Sequence, residues 1–195
     1  MRIGIDLDGV VYDTEKDFRI YQELYDIYIL KNNTKKDENE IKIEERFDWS
    51  QEITTDFFDR YVGPIIREAN YMPGAKMILK MLKEEGHELI IVSARGEKYT
   101  NLIPVTEERL KKDGMFDLFD KHFYSVGDKA KVCKEENIDI MIDDSNHVCK
   151  NTSENKIETI YLKDAPSCEM KENKYLKVLY NWGEIYRYIR EKQNS

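Results

Sequence analysis

The hydrophobic positions along the chain follow two alternating periods. Short continuous apolar runs predict buried strands, whereas apolar residues three or four positions apart predict amphipathic helices. The predicted strands are Arg2–Leu7, Glu88–Val92, His122–Val126, Ile138–Ile142 and Ile157–Leu162. Because helices are predicted between most of them, the pattern favours an α/β fold with a Rossmann-like parallel sheet.

The predicted helices after residue 72 fill the gaps between these strands. One follows Met72-Pro73-Gly74 and ends at Gly86, since glycine commonly terminates helices. The others are Thr106–Lys112, Lys129–Glu136 and a closing helix that carries Trp182, Ile185, Tyr186 and Ile189 on one face.

A helical insert interrupts the alternation between the first and second strands. Aromatic residues recur at helical spacing after Thr14, and Ser50 is placed to cap a second helix. Between these helices, the charged stretch from Lys31 to Arg46 is typical of a solvated surface. The pattern therefore predicts an α/β core at residues 1–13 and 72–195, with a small helical cap at residues 14–71.

Composition and charge limit the possible partners. The 195 residues carry a formal net charge of −8, so a long nucleic acid is not expected, although a small phosphorylated substrate is allowed. The sequence contains neither an apolar run of membrane-spanning length nor a signal-peptide pattern, and no membrane partner is expected. The cysteines Cys133, Cys149 and Cys168 lack metal-ligand spacing, which favours reduced thiols in the cytoplasm.

Polar side chains follow three of the predicted strands where each strand ends. Asp6 and Asp8 lie at the carboxyl end of the first, Ser93 follows the second, and Asp143 and Asp144 follow the fourth. In open parallel sheets, ligands bind beyond the carboxyl ends of the strands. These residues, together with Lys129 at the start of a helix, predict a site for a divalent metal and a phosphate.

The spacing of the first pair suggests two chemical roles. Residues two apart on a strand point the same way, so Asp6 and Asp8 can reach one ligand. One carboxylate can attack phosphorus and form an acyl phosphate. The other can protonate the leaving oxygen and later deprotonate water. For that acid role, burial and a dianionic substrate are expected to raise the pKa of Asp8.

These residues resemble the motifs of the haloacid dehalogenase-like superfamily. Asp6-Leu7-Asp8-Gly9-Val10 is similar to its first motif, and the apolar strand ending in Ser93 to its second. Lys129 and Ile142-Asp143-Asp144-Ser145 are similar to the third and fourth. Three further features resemble the bacterial 5'-nucleotidase and 5'(3')-deoxyribonucleotidase-like group. They are the position of the cap, the pair Asp128-Lys129 and the Ile-Asp-Asp sequence of the fourth motif.

The resemblance implies a Mg²⁺-dependent phosphatase with defined residue roles. Asp6 would be the nucleophile and Asp8 the acid and base. Asp6, the backbone carbonyl of Asp8 and Asp144 would bind the metal, with Asp143 supporting them. Ser93 and Lys129 would bind phosphate, with Ala94 and Arg95 as further candidates beside Ser93. Arg95, which has no match in the mammalian enzymes of this group, could instead bind a sugar hydroxyl or lie on the surface at a helix entry.

Several alternatives remain open at this point. Lys131 and Lys134 compete with Lys129 for the phosphate, and His147 follows the acidic pair without an evident role. The insert's aromatic residues could stack on a nucleobase, but packing among themselves is favoured for most of them. These rings are Phe18, Tyr21, Phe47, Trp49, Phe57 and Phe58. The favoured function is a 5'-nucleotidase; the alternatives are a small sugar-phosphate phosphatase, a phosphomutase and, least favoured, a non-catalytic binding module. The oligomeric state is not indicated.

Overall fold

The protein forms a parallel sheet in a computed structural model that describes residues 1–36, 46–96, 101–163 and 169–193. Within these residues the sheet has six strands in the order β3-β2-β1-β4-β5-β6, and every neighbouring pair is parallel. The strands are β1 (Arg2–Ile5), β2 (Glu88–Val92), β3 (Lys121–Phe123), β4 (Ile140–Asp143), β5 (Glu158–Leu162) and β6 (Leu176–Leu179).

Helices cover both faces of this sheet, which explains why the strands are apolar on both sides. On one face, α3 (Ala75–Glu84) and α7 (Trp182–Gln193) share a buried cluster with Ile3, Ile5 and Ile91. On the other, α5 (Lys129–Glu135) packs against Ile90 and Met141, and α6 (Asn146–Glu154) packs through Cys149 against Tyr161. The predicted α/β class with a parallel sheet is therefore confirmed.

One strand and one α-helix of the described residues were not predicted from the sequence. The sixth strand, β6, is a four-residue edge strand, and α6 follows β4 directly after Ser145. A four-residue run gives little periodic signal. For α6 a start signal is present, because the Ser145 hydroxyl accepts a hydrogen bond from the Val148 backbone amide at 3.5 Å.

The insert between β1 and α3 is helical in its described part. It contains α1 (Thr14–Leu24), which continues as a π-helix (Tyr25–Ile29), and α2 (Gln51–Glu68). As predicted, Ser50 caps α2, its hydroxyl accepting from the Ile53 amide at 3.3 Å. Residues 37–45 of the charged stretch lie outside the described residues. The division into a core at 1–13 and 72–195 and a cap at 14–71 stays a prediction.

Two tyrosines join the start and the end of the insert. Tyr12 and Tyr71 form an antiparallel bridge, and their ring centroids lie 4.9 Å apart. Arg109, on α4 (Leu102–Lys112) of the sheet region, donates to the carbonyl of Ala69 at 3.1 Å, just beyond the end of α2. The insert is therefore tied to the sheet region both through its chain ends and through α4.

Two cysteines lie within the described residues. Cys133 and Cys149 are buried free thiols, and Cys168 lies outside the described residues.

Among the described helices, none combines the length and the apolar composition that crossing a membrane requires.

Candidate active site

Three neighbouring strands bring the predicted site residues to one edge of the sheet. Asp6 follows β1, Ser93 follows β2, and Asp143 ends β4. Because β2, β1 and β4 are adjacent and parallel, their carboxyl ends lie side by side. The backbone amide of Asp6 continues the ladder by donating to the carbonyl of Ile142 at 3.1 Å.

Lys129 links two of these carboxylates. Its ammonium lies 2.8 Å from Oδ1 of Asp6 and 2.7 Å from Oδ2 of Asp143. All three side chains are buried. Lys129 is held in place because it is the first residue of α5, whose N-cap Asp128 accepts from the Lys131 amide at 3.3 Å. A buried charge requires a partner, and here one cation serves two anions.

The proton equilibria reflect this arrangement. Burial raises the pKa of Asp6, Lys129 lowers it, and Asp143 and Asp8 raise it again, giving a value of about 6. Burial alone would lower the pKa of Lys129, but Asp143 and Asp6 hold it above its ordinary value. Lys129 therefore stays charged at neutral pH, and Asp6 is mainly ionised.

Asp144 completes a cluster of three carboxylates that could hold a metal ion. One oxygen from each of Asp6, Asp143 and Asp144 lies within 4.8 Å of the others. Burial, followed by the charges of Asp143 and Asp6, raises the pKa of Asp144 well above its ordinary value. Asp143 already accepts from Lys129 and from the Ser145 amide at 2.9 Å, whereas no described residue donates a hydrogen bond to Asp144.

This carboxylate set fits a Mg²⁺ ion. Four acidic groups, Asp6, Asp8, Asp143 and Asp144, face two cations, Lys129 and Arg95, so the local charge is negative. A hard divalent cation with oxygen ligands would offset that charge. Gly9 keeps the space beside Asp144 open, since an added Cβ would meet the Asp144 carboxylate at 1.9 Å.

Asp8 forms a second ion pair at the opening of the site. Arg95 donates to Oδ1 of Asp8 from Nη2 at 2.6 Å and to Oδ2 from Nε at 3.1 Å. Thr14, the first residue of α1, also donates to Oδ1, at 2.9 Å. The Arg95 side chain is only 2% exposed, whereas that of Asp8 is 42% exposed. The carboxylate of Asp8 is therefore fixed in orientation but open to solvent.

The charges within the protein shift the pKa of Asp8 downward, and the rise expected from a dianionic substrate stays a prediction. Burial would raise the pKa, but the charge and hydrogen bonds of Arg95, together with the Thr14 hydrogen bond, hold it below its ordinary value. A bidentate arginine stabilises the ionised carboxylate strongly. The expectation omitted this partner, which is 87 residues away in the sequence.

The residues after β2 occupy different environments. Ser93 is buried, and its hydroxyl accepts a hydrogen bond from the backbone amide of Arg95 at 3.2 Å. Ala94 is exposed. Arg95 also contacts the Thr106 hydroxyl at 3.2 Å, so its guanidinium is already engaged by Asp8 and Thr106. Phosphate binding by Ser93, Ala94 and Arg95 stays a prediction.

The competing candidates point away from this cluster. The ammonium of Lys131 lies 3.9 Å from Glu135 in an exposed pair, and Lys134 donates to Asn155 at 2.5 Å. His147 is exposed. Among the three lysines, Lys129 alone contacts the described carboxylates at the sheet edge.

Most of the aromatic rings proposed to stack on a base pack against one another. The rings of Phe18, Phe57 and Phe58 are buried in one cluster, which also includes Leu102 of α4. Phe47 is buried and stacks on Trp49 with centroids 4.7 Å apart. Tyr21 and Trp49 are partly buried beside this cluster. The packing interpretation favoured from the sequence is confirmed for Phe18, Phe47, Phe57 and Phe58.

Thr14 and Thr106 contribute to the site but were not singled out from the sequence. Both are buried and contact the Asp8–Arg95 pair. A threonine at the start of a helix is ordinarily explained by local structure, so nothing in the sequence assigned Thr14 to the site.

The fold is similar to that of several solved structures. A haloacid dehalogenase-like hydrolase from Streptococcus pneumoniae aligns with a TM-score of 0.69 and 16% identity, over 96% of this chain and 97% of that one. A protein from Haemophilus somnus, described as a predicted phosphoglycolate phosphatase, aligns with a TM-score of 0.65 and 15% identity, over 96% of each chain.

The chain has the haloacid dehalogenase-like fold. A third structure, a hydrolase of this type from Bacillus subtilis bound to magnesium, aligns with a TM-score of 0.66 and 13% identity, over 97% of this chain and 98% of that one. Other similar structures are described as β-phosphoglucomutases. The sequence itself matches no protein-family model and no curated protein.

Proposed function

We propose that the protein is a Mg²⁺-dependent phosphomonoesterase that forms a phospho-aspartate on Asp6. The observation that carries this proposal is the position of the Asp6 carboxylate. It is buried at the end of β1, 2.8 Å from Lys129 and within one cluster with Asp143 and Asp144. A turn or capping role requires none of these partners.

The surrounding groups suit attack by Asp6 on a phosphoryl group. Lys129 and a metal ion would offset the repulsion between the Asp6 carboxylate and the phosphate, which is the main electrostatic barrier in such transfers. Ser93 and the backbone after β2 lie at the neighbouring strand end and are proposed to hold the phosphate oxygens. Asp8, at the open side, would exchange protons with the leaving oxygen and with water.

Mg²⁺ is proposed to bind Asp6, Asp144 and the backbone carbonyl of Asp8, with Asp143 supporting the site. When bound, the metal would stabilise negative charge on the transferring phosphoryl group. Asp143 is the less suitable direct ligand, because it already accepts hydrogen bonds from Lys129 and the Ser145 amide. Support for magnesium comes from the carboxylate cluster and from the magnesium-bound Bacillus subtilis structure.

The proposed substrate class is a small phosphorylated molecule, and the protein is proposed to act in the cytoplasm. A 5'-nucleotidase acting on nucleoside or deoxynucleoside monophosphates remains the favoured form, resting on the motif resemblance. Burial of most insert rings weakens the stacking argument, because Phe18, Phe57 and Phe58 are not free to contact a base. This packing favours a small sugar phosphate as the second candidate, in line with the β-phosphoglucomutase descriptions of similar structures.

Hydrolysis of p-nitrophenyl phosphate tests the activity. We expect phosphate release with Mg²⁺, its loss with a chelator, and its recovery when Mg²⁺ is restored. Asp6→Asn should abolish turnover while leaving the circular dichroism spectrum unchanged, because an amide cannot act as the nucleophile. Near-wild-type activity of Asp6→Asn would disprove the covalent mechanism.

Comparative kinetics test the substrate. We would measure kcat/KM for deoxyuridine monophosphate, thymidine monophosphate and a set of sugar phosphates. A higher value for the nucleotides would support the nucleotidase form. Higher values for the sugar phosphates would reject it and leave the phosphatase proposal standing.

A further inference from the structure

The two oxygens of the Asp8 carboxylate are not equivalent in this structure. Oδ1 accepts hydrogen bonds from Arg95 Nη2 at 2.6 Å and from Thr14 Oγ1 at 2.9 Å. Oδ2 accepts from Arg95 Nε at 3.1 Å, and no other described residue donates to it. Each carboxylate oxygen offers about two acceptor directions. Oδ1 is therefore saturated, and Oδ2 keeps one free acceptor direction.

The bidentate contact also fixes the plane of the carboxylate. A guanidinium donates in a rigid fork, so two bonds from it define both the position and the rotation of its partner. Arg95 is itself immobilised: its Nη1 contacts Thr106 Oγ1 at 3.2 Å and its guanidinium carbon lies 5.6 Å from the centroid of the Tyr12 ring. Arg95, which Thr106 of α4 holds in place, therefore fixes where the free acceptor direction of Oδ2 points.

We infer that Arg95 is a positioning residue for proton transfer, and that Oδ2 of Asp8 is the oxygen that exchanges the proton. This inference rests on the proposed phosphatase function and differs from the expectation that Arg95 binds phosphate. Arg95 acts through Asp8, whose side chain remains 42% exposed and so reachable by substrate.

The two proton transfers balance without a further reactant. In the first step an Asp6 oxygen forms a bond to phosphorus, the bond from phosphorus to the leaving oxygen breaks, and a proton that Oδ2 takes up from solvent moves to that oxygen. In the second step water forms a bond to phosphorus and gives its proton to Oδ2. The bond from phosphorus to Asp6 then breaks, which releases inorganic phosphate and restores the Asp6 carboxylate.

The experiment compares leaving groups across single and double variants. The substrates are substituted phenyl phosphates, from p-nitrophenyl to phenyl phosphate, because a poorer leaving group depends more on protonation. The variants are Asp8→Asn, Arg95→Met, Arg95→Lys and the double variant Asp8→Asn/Arg95→Met. Arg60→Met is the matched control, since Arg60 forms a 2.8 Å pair with Asp56 on the surface of α2, away from the carboxylate cluster.

If Arg95 positions Asp8, Arg95→Met should lower kcat about 100-fold for phenyl phosphate but only a few-fold for p-nitrophenyl phosphate. KM should change little. In the Asp8→Asn background the same substitution should have less than about a twofold further effect, because residues that act as a unit are not additive. Arg95→Lys, which keeps the charge but loses the fork, should show the same leaving-group dependence in a milder form.

A different pattern would overturn the inference. Equal losses for all leaving groups, dominated by KM and undiminished in the Asp8→Asn background, would show that Arg95 binds phosphate instead. Thermal unfolding of each variant shows whether it still folds. If Arg95→Met does not fold, the leaving-group dependence of Arg95→Lys decides between positioning of Asp8 and phosphate binding. Failure of the phosphatase proposal itself is distinguishable, because it requires an inactive wild type or an active Asp6→Asn.

Discussion

Gly9 faces the carboxylate of Asp144 so closely that a Cβ at position 9 would lie 1.9 Å from Oδ2 of Asp144. Gly9 also has a φ of +70°, which disfavours any residue with a side chain. The first motif therefore contributes more than its two aspartates. Its glycine turns the chain and leaves room for the carboxylate proposed to bind the metal.

Substitution of this glycine should weaken metal binding more than folding. In Gly9→Ala, we expect Asp144 to be displaced and the Mg²⁺ affinity, measured by isothermal titration calorimetry, to fall at least about tenfold. Gly114→Ala is the matched control, because Gly114 has a φ of +65° but no atom within 4 Å of its added Cβ. Both variants should lose about 1–2 kcal/mol of stability from backbone strain. Equal Mg²⁺ affinities would remove the proposed role of Gly9.

The lysine assignment can be tested with neighbouring residues of the same helix. Lys129→Met should reduce kcat/KM at least about 100-fold, because it removes the cation between Asp6 and Asp143. Lys131→Met should change it less than about twofold, since Lys131 points to Glu135 in an exposed pair. Steady-state kinetics on p-nitrophenyl phosphate provide the measurement. The opposite ranking would show that the phosphate lies elsewhere.

The insert aromatics should act through stability rather than through substrate contact. Phe57→Leu, in a fully buried position, should cost about 1.5 kcal/mol or less by chemical denaturation. It should change kcat/KM for thymidine monophosphate and for sugar phosphates by the same factor. A loss confined to the nucleotide would instead show that this ring contacts a base. Tyr21→Leu, in a partly buried position, is the comparison variant.

His87 predicts a dependence of stability on pH. It is buried, and burial followed by the nearby N-terminal ammonium lowers its pKa below 6.5, although Glu85, the Met1 backbone and Gln193 oppose the shift. Below pH 6.5 His87 binds a proton more readily in the unfolded chain than in the folded chain. His87 should therefore lower the free energy of unfolding as the pH drops from about 6.5 toward its lower folded pKa, whereas the raised pKa values of Asp6 and Asp144 act in the opposite direction.

His87→Leu should reduce this pH dependence, and chemical denaturation between pH 5 and 7 measures it. A pH dependence should remain, because burial also lowers the pKa of His122 while the raised pKa values of Asp6 and Asp144 give the opposite slope. His147→Leu is the control, since His147 is exposed. An unchanged slope in His87→Leu would mean that the pKa of His87 is the same in the folded and the unfolded chain.

The strand ends were predictable because they follow from local patterns. A buried strand of period two, followed by Asp-x-Asp-Gly, determines which side chains emerge together, and parallel connections then bring successive strand ends to one edge. Asp6, Asp143 and Lys129 could thus be assigned to one site before any contact was known. The four-residue β6 strand escaped prediction because so short a run has no clear period.

The sequence alone determined the α/β class, the helical insert and the set of residues at the sheet edge, because each depends on spacing within a few residues. Only the tertiary structure decided how the charges are paired. Arg95 could equally have faced a phosphate, but its guanidinium donates to Asp8 after β1 and to Thr106 on α4. Similarly, the insert's rings pack together because three helices bury them, α4 among them. Pairing and burial depend on the relative placement of segments far apart in the chain, which local periodicity does not encode.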